Sequence, residues 1–169
     1  MRKISFLILF AFFGLTIVNG CKQTEVPNDP GTGKLQVTLN GFGYNNTVMD
    51  IAHGISLDSS NSTITYIGVG GTVGQDTVGI AMRIPIDFTT GTVNFDNNNR
   101  LYIGIIRNGV TTGFSGTSQG SVNLTHNPRP RSLGTKVEGS FSGSAVNSTT
   151  GETITVSCNK FSVFWAPTT

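Results

Sequence analysis

From Lys34 onward apolar and polar residues alternate with a period of two, and no window of a dozen residues holds an i, i+3, i+4, i+7 apolar stripe free of glycine. Leu35, Val37 and Leu39 share one parity, with Gln36, Thr38 and Asn40 on the other. Val78, Ile80, Met82, Ile84 and Ile86 form a longer inward row against Gly79, Ala81, Arg83 and Asp87. Pro85 falls on the outward parity, which places this strand at a sheet edge or ends it in a bulge. Further strands are predicted over 47–52, 63–69, 101–107, 121–126 and 134–146. Residues 101–106 are apolar on both parities, the mark of a central strand covered on both faces, and Asn108-Gly109 supplies a hairpin turn after them. In the last third, Val137, Phe141 and Ala145 point one way and Lys136, Glu138, Ser140, Ser142 and Ser144 the other. Residues 147–151 turn the chain, and Ile154, Val156 and Cys158 begin the return, with Cys158 on the core parity. The parity then switches to Phe161, Val163 and Trp165, which predicts a bulge at Asn159-Lys160. Turns recur at short intervals, so the fold class is all-β: a single antiparallel β-sandwich over 34–169, with a β-barrel as the alternative.

Ahead of that domain the pattern changes twice. Met1-Arg2-Lys3 is followed by an apolar run from Ile4 to Val18 and then by Asn19-Gly20-Cys21. A basic start, an apolar run shorter than a membrane span of ~20 residues and a small residue before a cysteine read as a lipoprotein signal peptide over 1–20. The Cys21 thiol resembles the diacylglycerol acceptor of bacterial lipobox sequences, which implies a membrane anchor through acyl chains. The alternative is an ordinary cleaved leader, in which Cys21 would be free or bridged to Cys158, the other cysteine in the chain. Residues 22–33, with Pro27, Asp29-Pro30 and Gly31-Thr32-Gly33, carry turn formers and no hydrophobic period. With Cys21 they are read as a lipidated tether, the setting that favours an unpaired Cys158. The expected address is the outer membrane, lipid-anchored and either periplasmic or surface-exposed.

Composition narrows the partners. Eleven basic residues face nine acidic ones in the full chain, and cleavage would remove Arg2 and Lys3, leaving a formal balance near zero. That balance lacks the clustered basic excess of a nucleic-acid binder, and it leaves membrane attachment to the lipid. Charged residues are 12% of the chain, against 22 glycines and abundant Ser, Thr and Asn, a composition that suits an exported β-protein.

Gly139-Ser-Phe-Ser-Gly143, then Asn147, Thr150-Gly151-Glu152 and a closing Phe161-Ser-Val163, resembles the C-terminal hairpin of small lipoproteins of unknown function from Bacteroidota. The resemblance covers that hairpin and the leader. It departs from the family pattern at Asn159-Lys160, where Asn-Gly is usual. It implies an exported β-sandwich with no established activity, and supplies no chemistry; that no catalytic residue, metal ligand or cofactor is expected rests on the motifs themselves.

Motifs that carry chemistry elsewhere do not hold their context here. Gly116-Thr-Ser118-Gln-Gly120 matches a nucleophile elbow, but no helix follows it and no Asp lies beyond it. Gly68-Val-Gly70 follows a strand, but Val73 takes the third glycine position and no helix begins there to hold a phosphate. His53 and His126 are the only histidines, and Asp50 with His53 would diverge across a strand, so no metal site is read. Asp96 with Asn97, Asn98 and Asn99 lacks the spacing of a calcium loop and reads as a solvated turn.

Binding is the more productive class. Phe42 and Tyr44, with Asn45 and Asn46, put two rings beside amides at the end of the first strand. If parity persists they face outward and suit a sugar or peptide platform; if Gly41 breaks it, both rings pack under a loop, the favoured outcome. Arg129 and Arg131, set among Pro128 and Pro130, are expected in an extended loop that presents them to solvent, available to an anionic glycan or partner. Asp76-Thr77-Val78 resembles an O-glycosylation acceptor of Bacteroidota, with Thr77 as the site. The function read from these features is a non-catalytic envelope lipoprotein that binds a glycan or an envelope protein. The alternative is a structural subunit of a surface assembly, with a hydrolase behind both.

Overall fold

The computed structural model describes residues 35–59 and 63–166, and over them the chain is all strand, with no helix. Eleven strands follow in order: β1 (Gln36–Gly41), β2 (Tyr44–Asp50), β3 (His53–Asp58), β4 (Ile64–Val73), β5 (Asp76–Pro85), β6 (Gly91–Asn94), β7 (Leu101–Arg107), β8 (Val110–Phe114), β9 (Ser118–His126), β10 (Lys136–Val146) and β11 (Thr153–Ala166). They join one curled mixed sheet that forms a half-barrel, in the order β6-β9-β10-β11-β3-β4-β5-β7-β8, with β1 paired to both β11 and β2. The curl brings one face of the sheet round on itself, and the inward parity of every long strand fills the space. Val37, Leu39, Ile67, Ile80, Met82, Leu101, Ile103, Ile105 and Phe161 are all fully buried there.

β11 organises the sheet. Its whole length lies along β10; on its other side the first half pairs with β1 and the last residues pair with β3. The β3 pairing is parallel, Phe164 against Ile55 and Ala166 against Leu57, and it departs from the antiparallel expectation. The cause is the short link after β2: Ala52 N–H donates to Gly70 O at 2.9 Å, which starts β3 directly on β4 and sets it running in the direction of β11.

The predicted bulge is present. Gly139 pairs with Phe161 and Phe141 with Cys158, so Asn159 and Lys160 together oppose Ser140, and the inward set moves from Cys158 to Phe161. The hairpin between β7 and β8 turns on Asn108 and Gly109, with φ of 51° and 76°, the left-handed pair that a two-residue turn requires. β5 ends at Pro85, but it is neither an edge strand nor bulged there: it lies between β4 and β7, and Pro85 stays in register with Ile64. Arg83 N–H donates to Arg100 O on the β7 side, so the nitrogen of Pro85, two residues on, faces the same way past the end of β7. No ladder bond is lost there.

The two glycines of the Gly139-Ser-Phe-Ser-Gly143 segment have packing roles. A Cβ on Gly139 would meet the backbone carbonyl of Asn123 on β9 first and then the Phe161 ring at 3.0 Å, and one on Gly143 the carbonyl of Gln119 and then Leu101 and Phe95 at 3.1 Å. Both positions stay bare so that the backbone of β9 and large side chains can lie on the backbone of β10.

Candidate functional site

The corner at Phe42 and Tyr44 is closed. The register of β1 with β2 shifts between Leu39 and Gly41, and Gly41, Phe42 and Gly43 all take positive φ, so the chain folds over before β2 begins. Tyr44 turns inward at 8% exposure, and half-buried Phe42 packs edge-on against Phe114 with ring centroids 5.1 Å apart. The guanidinium of Arg107 lies 5.2 Å from the centre of the Phe42 ring and 5.3 Å from that of Tyr44, so both rings already hold a cation. Arg107 in turn grips Asp76 through Nε and Nη2, and Tyr44 Oη donates to Asp76 Oδ2 at 2.7 Å. Asn45 and Asn46 remain exposed, the backbone N–H of Asn45 donating to Thr47 Oγ1. The corner ties β2, β5 and β7 together around the two rings.

Its charges set a pH response. Arg107, then Tyr44, hold the Asp76 carboxyl below its ordinary value of 3.8, while burial and the Asp76 hydrogen bond push the Tyr44 phenol up to about 12. A carboxylate with a depressed folded pKa contributes stability that is complete above the unfolded value and is lost as pH falls through the folded one. Asp76→Asn is therefore expected to flatten the fall in melting temperature below about pH 4 and to lower the melting temperature at pH 7. A mutant whose acid limb matches that of the parent would exclude Asp76 as its source.

Arg129 and Arg131 correct the sequence reading. They are not presented to solvent: the Arg131 side chain is 1% exposed and that of Arg129 25%. Both converge on Asp58 of β3, with Arg131 Nη1 2.6 Å from Oδ1 and Arg129 Nη1 3.3 Å from Oδ2. Thr65 Oγ1 also donates to Asp58, at 2.7 Å, and Trp165 Nε1 donates at 3.2 Å. Arg131 Nη2 donates to Asn127 within the loop, Arg129 Nη2 to Thr65 Oγ1 and to Ile86 O, so the arginines stitch the loop to β3, to β4 and to the turn after β5. The prolines keep this segment out of the ladder as expected, but the buried Asp58 and Thr65 draw its cations inward. Burial pulls the Arg131 guanidinium down to about 10, with Asp58 opposing the fall, and it stays charged at neutral pH.

The remaining candidates have ordinary positions. Ser118 is buried at the start of β9 and accepts a hydrogen bond from Leu101 N–H. His53 and His126 are exposed on β3 and β9, and among the described residues no group of three His, Cys, Asp or Glu side chains could hold a metal. Asp96 Oδ1 accepts from the backbone N–H groups of Asn98 and Asn99, which makes the segment a capped turn. Thr77 is half-buried on β5, paired with Thr72 and Ile106. Cys158 is unpaired, 2% exposed and donates to Lys160 O, with burial pushing its thiol up to about 11; it is a core residue. Cys21 lies outside the described residues.

The outer surface of the sheet divides into two unlike halves. Over β9, β10, β11 and β1 it is a ladder of small polar side chains, with Ser121, Ser142, Ser157 and Thr38 in one row, around a shallow dip of about 160 Å³. Over β3, β4, β5, β7 and β8 it is built of glycines and rings. One row crosses Gly70, Gly79, Gly104 and Gly113 side by side, with exposed His53 at its β3 end. The neighbouring row on one side holds Phe164, Ile55, Gly68, Ala81 and Tyr102, and beyond it come Leu57, Tyr66 and Arg83. On the other side Thr72, Thr77, Ile106 and Thr111 form the facing wall.

Strands spaced at 4.7–4.9 Å give this four-glycine floor a length of about 14 Å. A Cβ added at Gly79 would meet nothing within 4 Å, so the floor opens on free space at that position, while Gly70 and Gly104 on either side of it are buried. Glycines side by side in a sheet weaken it unless something approaches its backbone closely. The signal was present in the sequence, where Gly79, Ala81 and Arg83 share the outward parity of β5, but only the strand order sets the five strands beside one another. Tyr66 and Tyr102 are half-buried, and the Tyr66 phenol is raised by burial, with Arg83 pulling the other way and Tyr102 adding to the rise.

No family model, curated protein or solved structure matches the chain.

Proposed function

We propose that this chain is a lipid-anchored lipoprotein of the cell envelope, non-catalytic, whose β-domain binds a glycan or an envelope protein at the glycine trough of β4, β5, β7 and β8. The observation that carries the reading is the open floor at Gly79, flanked by Tyr102 on one wall and Thr77 and Ile106 on the other. A bare backbone admits a flat ligand, rings supply apolar contact and hydroxyls supply direction. The leader and Cys21 support the address, and a tether over 21–33 would keep the trough near the membrane at high effective concentration. Of the free edges, β6 and β8 are four and five residues long, but β2, paired only with β1, offers seven, so an assembly subunit that pairs along β2 stands as the second reading.

Gly79→Val tests the trough without disturbing what surrounds it. The position is extended backbone with open space over it, and Val is a better strand former than Gly by up to about 1 kcal/mol. The variant is expected to melt at or above the temperature of the parent and to lose at least tenfold in affinity on a glycan array or against an envelope extract. Unchanged binding by the folded variant would remove the trough as the site. Cys21→Ser is expected to move the protein from the membrane to the soluble fraction, and retention in the membrane would remove the anchor.

A further inference from the structure

The charge of the ligand can be read from the same face, and this inference rests on the trough being the site. Arg83 stands on β5 directly opposite Tyr66, and Tyr102 rises from β7 beside Ala81, one row closer to the glycine floor. Arg107 pairs with Asp76, and Arg129 and Arg131 pair with Asp58. Arg83 pairs with nothing: its Nε is buried without a hydrogen-bond partner, and no carboxylate of the described residues lies within ion-pair distance. Its neighbour across the ladder is a second cation, since Arg83 and Arg100 exchange both backbone hydrogen bonds and therefore project from the same face. Like charges directly opposite repel, and the nearby Asp96 holds the backbone N–H groups of its own turn. Arg100 is partly compensated, donating through Nε to Asn97 O at 3.0 Å and, after the backbone N–H groups of Asn99 and Asn98, helping to hold the Asp96 carboxyl below its ordinary value. That leaves Arg83, beside two rings, as the cation that lacks an anion.

We infer that the trough takes an acidic polysaccharide segment, with the carboxylate of a uronic acid on Arg83, assisted by Arg100, and its sugar ring against Tyr66 or Tyr102. The guanidinium fork matches a carboxylate, the ring faces match the apolar side of a pyranose, and the glycine floor carries the chain onward. A nucleic acid would need a longer basic stripe than this near-neutral chain has. An extended peptide would need free backbone groups, and those of β4, β5 and β7 are taken by ladders on both sides.

The test presents the detergent-solubilised full chain with galacturonate, glucuronate and mannuronate oligomers, and with the same oligomers after reduction of their carboxyl groups. At least one acidic oligomer is expected to bind, its reduced form at least tenfold more weakly, with the difference shrinking as salt is added. Arg83→Gln is expected to erase the preference for the acid while melting no lower than the parent, because it removes an unpaired cation. Gly79→Val is expected to block both forms. Failure of every uronic oligomer to bind overturns the inference. Equal binding of acidic and reduced forms, unchanged in Arg83→Gln but blocked in Gly79→Val, overturns it while leaving the trough as a neutral-glycan site. Binding that survives Gly79→Val overturns both.

Discussion

Asp58→Ala is expected to destabilise the fold by about 3–5 kcal/mol, the cost of stripping one partner from a buried ion cluster. Asp58 is the acceptor on which Arg129, Arg131, Thr65 and Trp165 all converge, and its side chain is 19% exposed, so solvent replaces little of what is lost. Arg131, at 1% exposure, would be left as a buried cation with only Asn127 and Thr65 as partners. A domain of this size has a total stability of about 5–15 kcal/mol, so the loss is a large fraction of the whole. The melting temperature should drop by on the order of 10 °C or more. Asp58→Asn, which keeps the shape and removes the charge, is expected to fall between the parent and the alanine variant. A drop of a degree or two for Asp58→Ala would mean that the loop leaves the cluster and takes its arginines into water.

Phe161→Ala is expected to cost a similar amount, about 3–5 kcal/mol, for a different reason. Phe161 is fully buried, lies 5.9 Å from the Phe141 ring and rests on the bare backbone of Gly139. Truncation opens a void that the sheet cannot collapse to fill, because β10 and β11 are locked together on both sides of the bulge. Phe161→Leu should recover much of the loss, as volume rather than aromaticity holds the site. Urea unfolding midpoints of the three proteins give the comparison; a leucine variant no better than alanine would show that the ring stacking on Gly139 carries the energy instead.

The sequence made local features legible and left neighbour relations hidden. Period-two alternation located β7 and β10 closely, the Asn108-Gly109 turn and the bulge at Asn159-Lys160, because each is decided by residues a few positions apart. β3 was missed: it follows β2 after two residues, and its short alternation is inverted, with Ile55 and Leu57 on the outer face and Ser56 fully buried. The four- and five-residue β6 and β8 were too short to stand out. Arg129 and Arg131 were misplaced because their acceptor lies about seventy residues earlier in the chain, and prolines alone say only that a segment is not in a ladder. The trough was out of reach for a related reason. Each strand showed its own outward glycine, and only the order β4-β5-β7-β8 turns them into one floor.

β11 is the last of the described strands along the chain and the one on which β10, β1 and β3 all lean. Thr38 leaves the ribosome more than a hundred residues ahead of Ser157, the residue it must pair with. At synthesis rates of about 5–20 residues per second, the first hairpin waits on the order of ten seconds for its neighbour. Until then β1 and β3 each lack the neighbour that joins them, so the two parts of the sheet stay unconnected, although β3, β4, β5, β7 and β8 pair with one another without it. β1 and β3 therefore spend most of the synthesis with one edge bare, and the order of manufacture runs opposite to the order in which the sheet leans on its parts.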